Sequence, residues 1–402
     1  MNFIHPDIFY TRLKTHHKLL FLHLVKHFSI RNFLIGIAYF IVIFIVSSFN
    51  AICRLLDELL FPNYHQVEIH QPVFIISNPR SGTTFLHRLM CLDDKKFVYN
   101  LLYHTTFHSI IFYRAVQIIS GIDKKIGGPL HWLLDKINDT MFKGWDEIHK
   151  TGFNKSEEDE GWHFISGISP SIGLITPYLK SFNELYIPDN LSEKEKNNIK
   201  KYYKASIQRW MYALGSDKIF LSKTVMSSGR LEMLHDIFPD VKIIFLIRHP
   251  YQAIPSFTSM FAEPWSTLYP SIPSNSEAYR EWGEVGIEYY KYFNIEKSKF
   301  KQENFITIPY TELVADPMAT VLKIYNQLQL EITPEFTARL SEETHKQRKY
   351  TSKHSYSLEE YGFEKEYIYQ QLHFIFEEFG FEKWKLVILL FFIKNEPIPK
   401  FM

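Results

Sequence analysis

The chain has 402 residues, 46% hydrophobic and 16% aromatic, enough for one large domain or two ordinary ones with a sizeable core. Its 45 basic residues against 44 acidic ones leave a net charge of +1, which argues against a general nucleic-acid binder, because such a protein needs a basic excess. Two cysteines, Cys53 and Cys91, exclude a disulfide framework.

Taken in chain order, the first feature is a run without any charged residue from Phe33 to Cys53, preceded by Arg12, Lys14, Lys18, Lys26 and Arg31. The run is about the length of a bilayer span. By the positive-inside rule the residues before it would face the cytoplasm. It is too long and too far from the start for an ordinary signal peptide. Ser47, Ser48 and Asn50 weaken it as a span, so a helix docked on the folded body or lying in the membrane interface stays open. Residues 1–70 are therefore expected to form a basic, apolar, membrane-associated helical region, single-pass or monotopic, and "FPNYHQ" looks like its exit. The later run "LVILLFFI", Leu386 to Ile393, is too short to span and reads as core.

Residues 71–402 read as a second unit in which strands and helices alternate. "VFIIS" (Val73 to Ser77), "KIFLSK" (Lys218 to Lys223), "VKIIFLI" (Val241 to Ile247) and "NFITIPY" (Asn304 to Tyr310) are strand candidates. "SSGRLEMLHDIF" has helical spacing, Pro250 suits a first helical residue, and a helix is expected from Thr311. The pattern predicts an α/β fold, a mostly parallel sheet flanked by helices. The stretch from about Tyr99 to Gly215 reads as a helical insertion over the sheet edge.

Two segments carry the chemistry. In "NPRSGTTF" a strand runs into a small-residue loop and then a helix. Gly82 permits a turn that other residues resist. The N–H groups and hydroxyls of Thr83 and Thr84 at a helix start make a nest for an anion, and Arg80 adds a charged donor fork. In "IIFLIRHPYQAIPSF", Arg248 sits at a strand end and Ser256 on the following helix. Ligands of α/β sheets bind at that carboxyl edge. Two such ends predict a ligand with two separate anionic groups.

These segments resemble the sulfotransferases that use 3′-phosphoadenosine 5′-phosphosulfate (PAPS). "PRSGTTFLHRL" is similar to their 5′-phosphosulfate loop and "IRHPYQAIPS" to their 3′-phosphate segment, while "YTELVADP" and "KHSYSLEEYGF" resemble late segments of the bacterial-type branch. The resemblance covers about residues 61–380. It implies a P-loop-like sulfotransferase fold and transfer of a sulfuryl group to a hydroxyl or amine acceptor, with PAPS as co-substrate and no metal required. It implies that Arg80, Ser81, Gly82, Thr83 and Thr84 hold the 5′ end and that Arg248 and Ser256 take the 3′-phosphate. Lys353 and His354 fall where the family brings a basic segment over the nucleotide; a solvated basic turn is the competing reading. Lys223 would face the sulfuryl group. Where some members carry a strand-end His as general base, this chain has Val225, which cannot accept a proton. By position His104 is the first candidate base and His108 its rival. Glu158 and Asp159, in "SEEDEGWH", are substrate-side candidates, although Ser156 followed by Asp159 is also a helix-capping pattern. A chain beginning at Val67 is expected to be soluble and to bind nucleotide.

Two other functions compete. A P-loop kinase-like phosphotransferase needs a Gly-Lys-Ser/Thr loop that is missing. A catalytically inactive nucleotide-binding membrane protein fits the missing strand-end His, but not the joint presence of Arg80, Lys223, Arg248 and Ser256. The Asn-x-Ser/Thr sequences at Asn138, Asn154 and Asn190 are about as many as chance supplies, so they do not place the chain in a secretory lumen.

Overall fold

The computed structural model describes residues 5–78, 80–141, 156–215, 217–347 and 357–383. Five strands, β1 (Val73–Ser77), β2 (Phe97–Val98), β3 (Ile219–Lys223), β4 (Lys242–Ile247) and β5 (Phe305–Pro309), form a sheet in the order β2-β3-β1-β4-β5. Every pairing is parallel, with Ile75 opposite Lys223 and Ser77 opposite Leu246. The near-continuous apolar strands follow from burial on both faces. Phe74 and Ile76 of β1 join one cluster with Phe220, Ile243 and Phe245, whereas Val73 and Ile75 join another with Leu221, Ile244 and Leu246. Fully burying a side chain of this size contributes about 1.5–3 kcal/mol.

The helices that matter for the site, in chain order, are α1 (Leu13–Phe21), α2 (Ile30–Leu60), α3 (Thr83–Met90), α4 (Leu102–Thr106), α5 (Ile110–Lys125), α6 (Pro129–Met141), α7 (Glu160–Ile165), α8 (Glu193–Leu214), α9 (Leu231–Ile237) and α10 (Pro250–Ser259). The helical reading of the insertion is right in kind for its described residues, which hold α4 to α8 and several 3-10 turns. The helix expected from Ser227 is a 3-10 turn, Val225–Gly229, followed by the shorter α9. "FPNYHQ" likewise closes as a 3-10 turn, Pro62–Gln66. Pro250 occupies the first turn of α10, where its missing N–H leaves no helical bond unmade.

The N-terminal region is packed into the same core. Leu19 and Leu22, with Tyr39 and Ile43 of α2, belong to the cluster that includes Phe74 of β1 and Trp210 of α8. Helix α2 buries a stripe of Asn32, Gly36, Tyr39, Ile43, Asn50, Cys53, Arg54 and Asp57. That spacing of three and four residues is one face of a helix. The polar members are those bonded to the body, and most of the apolar residues face outward. The Leu386 to Ile393 run, expected to be core, lies outside the described residues, as do Asn154, Lys353 and His354.

Candidate active site

Strand β1 ends at Ser77, and Gly82 stands immediately before α3. Arg80 and Gly82 both have left-handed backbones, φ +65° and +90°. For Gly82 this carries little strain because it lacks a Cβ. A Cβ there would also meet the side chains of Leu313 and Tyr310 at 3.2 Å. The Ser81 hydroxyl donates to the Asn78 carbonyl at 2.7 Å and braces the loop. Thr83 and Thr84 open α3, where the leading N–H groups have no helical acceptor and carry the positive end of the helix dipole.

The second loop leaves β4 at Ile247. Arg248 Nη1 donates to the Arg80 carbonyl at 2.7 Å, its Nε donates to Gln252 Oε1 at 3.3 Å, and its guanidinium lies 4.6 Å from the centre of the Tyr310 ring. Burial lowers its pKa, with the Tyr310 and Tyr290 hydroxyls opposing, and an arginine still stays charged under such a shift. Ser256, on α10, accepts from Arg80 Nε at 3.4 Å. Two loops separated in sequence thus meet at one sheet edge, each with its arginine.

Lys223 ends β3 beside them and is wholly buried. Its Nζ donates to Thr84 Oγ1 at 3.1 Å and pairs with Glu158 Oε1 at 3.1 Å and Glu157 Oε1 at 3.7 Å. The Glu158 side chain keeps 24% of its surface exposed. The segment around it is not a capped helix start. Ser156 forms an antiparallel bridge with Leu101, and the Glu157 N–H donates to the Asn100 carbonyl at 2.9 Å. Asp159 is buried and accepts from the hydroxyls of Ser222 (3.0 Å), Tyr203 and Thr224. Burial raises its pKa and those hydroxyls oppose the rise. Asp159 therefore ties the segment to β3 and does not face substrate, which corrects its expected place on the substrate side. The same letters satisfy a capping pattern and a buried anchor, so the sequence alone could not separate them.

His104 is also corrected as a candidate. It is 3% exposed, its Nδ1 accepts from the Leu101 N–H at 2.9 Å, and its ring packs against Tyr113 and Trp210. Burial lowers its pKa to about 3, so it is a weak proton acceptor. His108 is fully buried and bonded to the Tyr202 hydroxyl, and burial again lowers its pKa. The imidazoles hold helices together, whereas the carboxylates at 157 and 158 reach the lysine.

Residues 72–334 match the sulfotransferase family. Among curated proteins, the omega-hydroxy-beta-dihydromenaquinone-9 sulfotransferases Stf3 of Mycobacterium bovis and Mycobacterium tuberculosis are 20% identical over 267 residues, 64% of this chain and 63% of their length. Among solved structures, sulfotransferase STF9 from Mycobacterium avium superposes with a TM-score of 0.68 at 16% identity, covering 95% of this chain and 98% of that one. STF1 from Mycobacterium tuberculosis gives 0.58 at 18% identity, covering 91% and 99%. The likeness of structure shows a shared fold, and the family match, which runs over well more than half of the chain and contains all five strands, establishes that this chain belongs to the sulfotransferase family.

Proposed function

We propose that the chain moves the sulfuryl group of PAPS to a hydroxyl acceptor and releases 3′,5′-adenosine diphosphate. The observation that carries this reading is the meeting of the Arg80 and Arg248 loops beside the buried Lys223. Arg80, Thr83, Thr84 and the first amides of α3 fit a 5′-phosphosulfate, with Gly82 shaping the turn and Ser81 bracing it. Arg248 and Ser256 fit a 3′-phosphate.

In the transfer, the bond from sulfur to the 5′-phosphate oxygen breaks and a bond from sulfur to the acceptor oxygen forms. Glu158 takes the acceptor proton, with Glu157 as its neighbour. Lys223 and Arg80 stabilise the charge that develops on the sulfuryl oxygens and the departing phosphate. Fixed donors of this kind act without reorganising at the moment of reaction, which is why they are effective.

The named relatives act on a hydroxyl carried by a menaquinone. With the outward apolar face of α2, this supports an acceptor hydroxyl on an apolar, membrane-partitioned molecule and membrane association through the segment from Phe33 to Cys53. The donor assignment is tested by calorimetry with 3′,5′-adenosine diphosphate and ADP. Arg248→Ala removes a charge-assisted contact and is expected to weaken the 3′-phosphorylated nucleotide by about tenfold or more, with little change for ADP. Equal losses for both would overturn the assignment.

A further inference from the structure

We infer that α2 does not cross the bilayer but lies in the plane of one anionic leaflet, with the folded body covering its other side. This deepens the membrane reading above and rests on it. Its composition passes for a span: α2 has 31 residues and is long and apolar enough to cross. Its bonding to the body argues against that arrangement.

The contacts run along nearly the whole helix. Asn32 donates to the His27 carbonyl and the Tyr178 hydroxyl. Tyr39 bonds His16 at 2.8 Å. Asn50 donates to the Thr106 carbonyl at 2.9 Å and accepts from the His108 N–H. Arg54 reaches the carbonyls of Asp7 and Ile8 and the Ser206 hydroxyl. Asp57 accepts from the N–H groups of Ile110 and Ile111 and pairs with Arg209. At 1.5 Å per residue, the stretch from Asn32 to Asp57 is about 37 Å long, more than the roughly 30 Å of a bilayer core. A crossing α2 would place Phe33 to Cys53 in hydrocarbon, and the segments bonded to it there, His16 on Tyr39 and the backbone of Thr106 and His108 on Asn50, would have to enter with it.

The outward face has the opposite chemistry. Leu34, Ile41, Ile45, Ile52 and Leu59 repeat at helical spacing and are exposed, Leu59 by 71%. Ile118 and Ile122 on the adjoining α5 and Trp132 on α6 extend the apolar exposure. Basic groups stand at its ends. Lys26 and Arg31, with Lys180, line a recess of about 690 Å³ at the start of α2, where Glu277 pairs with Lys180 and Glu281 also contributes. Lys124 and Lys125 close α5, and Lys136 lies over the Trp132 ring. Apolar side chains bordered by lysine, arginine and tryptophan match the acyl and headgroup layers of an anionic leaflet. The charge complementarity selects that occupant over a second copy of the chain.

The test uses the full chain with vesicles of phosphatidylcholine, alone or with phosphatidylglycerol. The protein is expected to float with both and more strongly with the anionic ones. Ile41→Asp, Ile45→Asp and Ile52→Asp together should reduce flotation by about tenfold or more, while 3′,5′-adenosine diphosphate binding persists and shows that the variant is folded. Lys26→Cys and Gln66→Cys, both exposed and just beyond opposite ends of α2, report orientation. An impermeant maleimide added outside intact vesicles should label both to the same extent, measured against the parent chain. Labelling of one end only, until the vesicles are opened, would overturn the in-plane arrangement and leave membrane association standing. Absence of flotation would overturn the membrane reading itself. A dimer in buffer that the three aspartates convert to monomer, without flotation, would assign the face to a second copy.

Discussion

Lys223 is a buried charge on which the proposed chemistry rests. An ammonium without exposure needs compensation, and the chain supplies it from two sides: Thr84 of the anion loop and the carboxylates at 157 and 158. If Glu158 is the base, Glu158→Gln lowers kcat by roughly 10² to 10⁴, the usual contribution of general-base catalysis, and leaves affinity for 3′,5′-adenosine diphosphate nearly unchanged. His104→Ala should instead lower thermal stability, by about 0.5–3 kcal/mol, with kcat per folded molecule retained. Steady-state rates beside melting curves decide between them, and the reverse pattern would restore His104 as the base. Arg80, Arg248 and Ser256 were legible because strand ends and helix starts are written locally. The pairing of Glu158 with Lys223 was not legible, because the bridge between Leu101 and Ser156 that holds its segment is made across the fold.

Strand and helix types were also legible, since a parallel sheet covered on both faces writes itself as apolar runs. The orientation of α2 was not. Its charge-free run left a span, a docked helix and an interfacial helix open, whereas in the structure Asn32, Asn50, Arg54 and Asp57 form a single inward seam. Two predictions belong to these elements. Gly82→Ala forces a Cβ into a left-handed turn, at about 1–2 kcal/mol, and against Leu313 and Tyr310. Nucleotide affinity should fall by about tenfold, since about 1.4 kcal/mol is that factor; unchanged calorimetric affinity would show that the turn is not needed for binding. The seam between α1 and α2 should be acid-sensitive. Burial, with the neighbouring His17 adding to it, lowers the pKa of His16 from 6.5 to about 4. The unfolded chain takes up that proton near 6.5, the folded chain only near 4. Stability is therefore full above pH 6.5 and is lost as pH falls from 6.5 towards 4. Per histidine the slope is about 1.4 kcal/mol per pH unit within that window. Denaturant melts of His16→Asn against the parent between about pH 7 and 4.5 should show a flatter loss in the variant.

At the scale of the whole molecule, the division at residue 70 that composition suggests conflicts with the packing. Arg209 of α8 is fully buried, and its partners Asp57 and Glu58 both come from α2. Tyr64, from the turn that follows, lies under its guanidinium at 4.1 Å. Removing the first 66 residues takes away all three and strips Leu19, Leu22, Tyr39 and Ile43 from the main core. An uncompensated buried charge alone costs about 3–5 kcal/mol, against a total stability of about 5–15 kcal/mol for a typical domain. A chain beginning at Val67 is therefore expected to aggregate or to melt far below the full chain, contrary to the expectation from sequence. Asp57→Asn in the full chain, which weakens one partner of Arg209 and keeps the apolar contacts, should lower the melting temperature less. Calorimetry of the three proteins checks this order. A soluble chain from Val67 that binds 3′,5′-adenosine diphosphate with the affinity of the full chain would show that the N-terminal helices are a detachable anchor. The buried ion pairs of Arg209 would then contribute nothing that the rest of the core cannot replace.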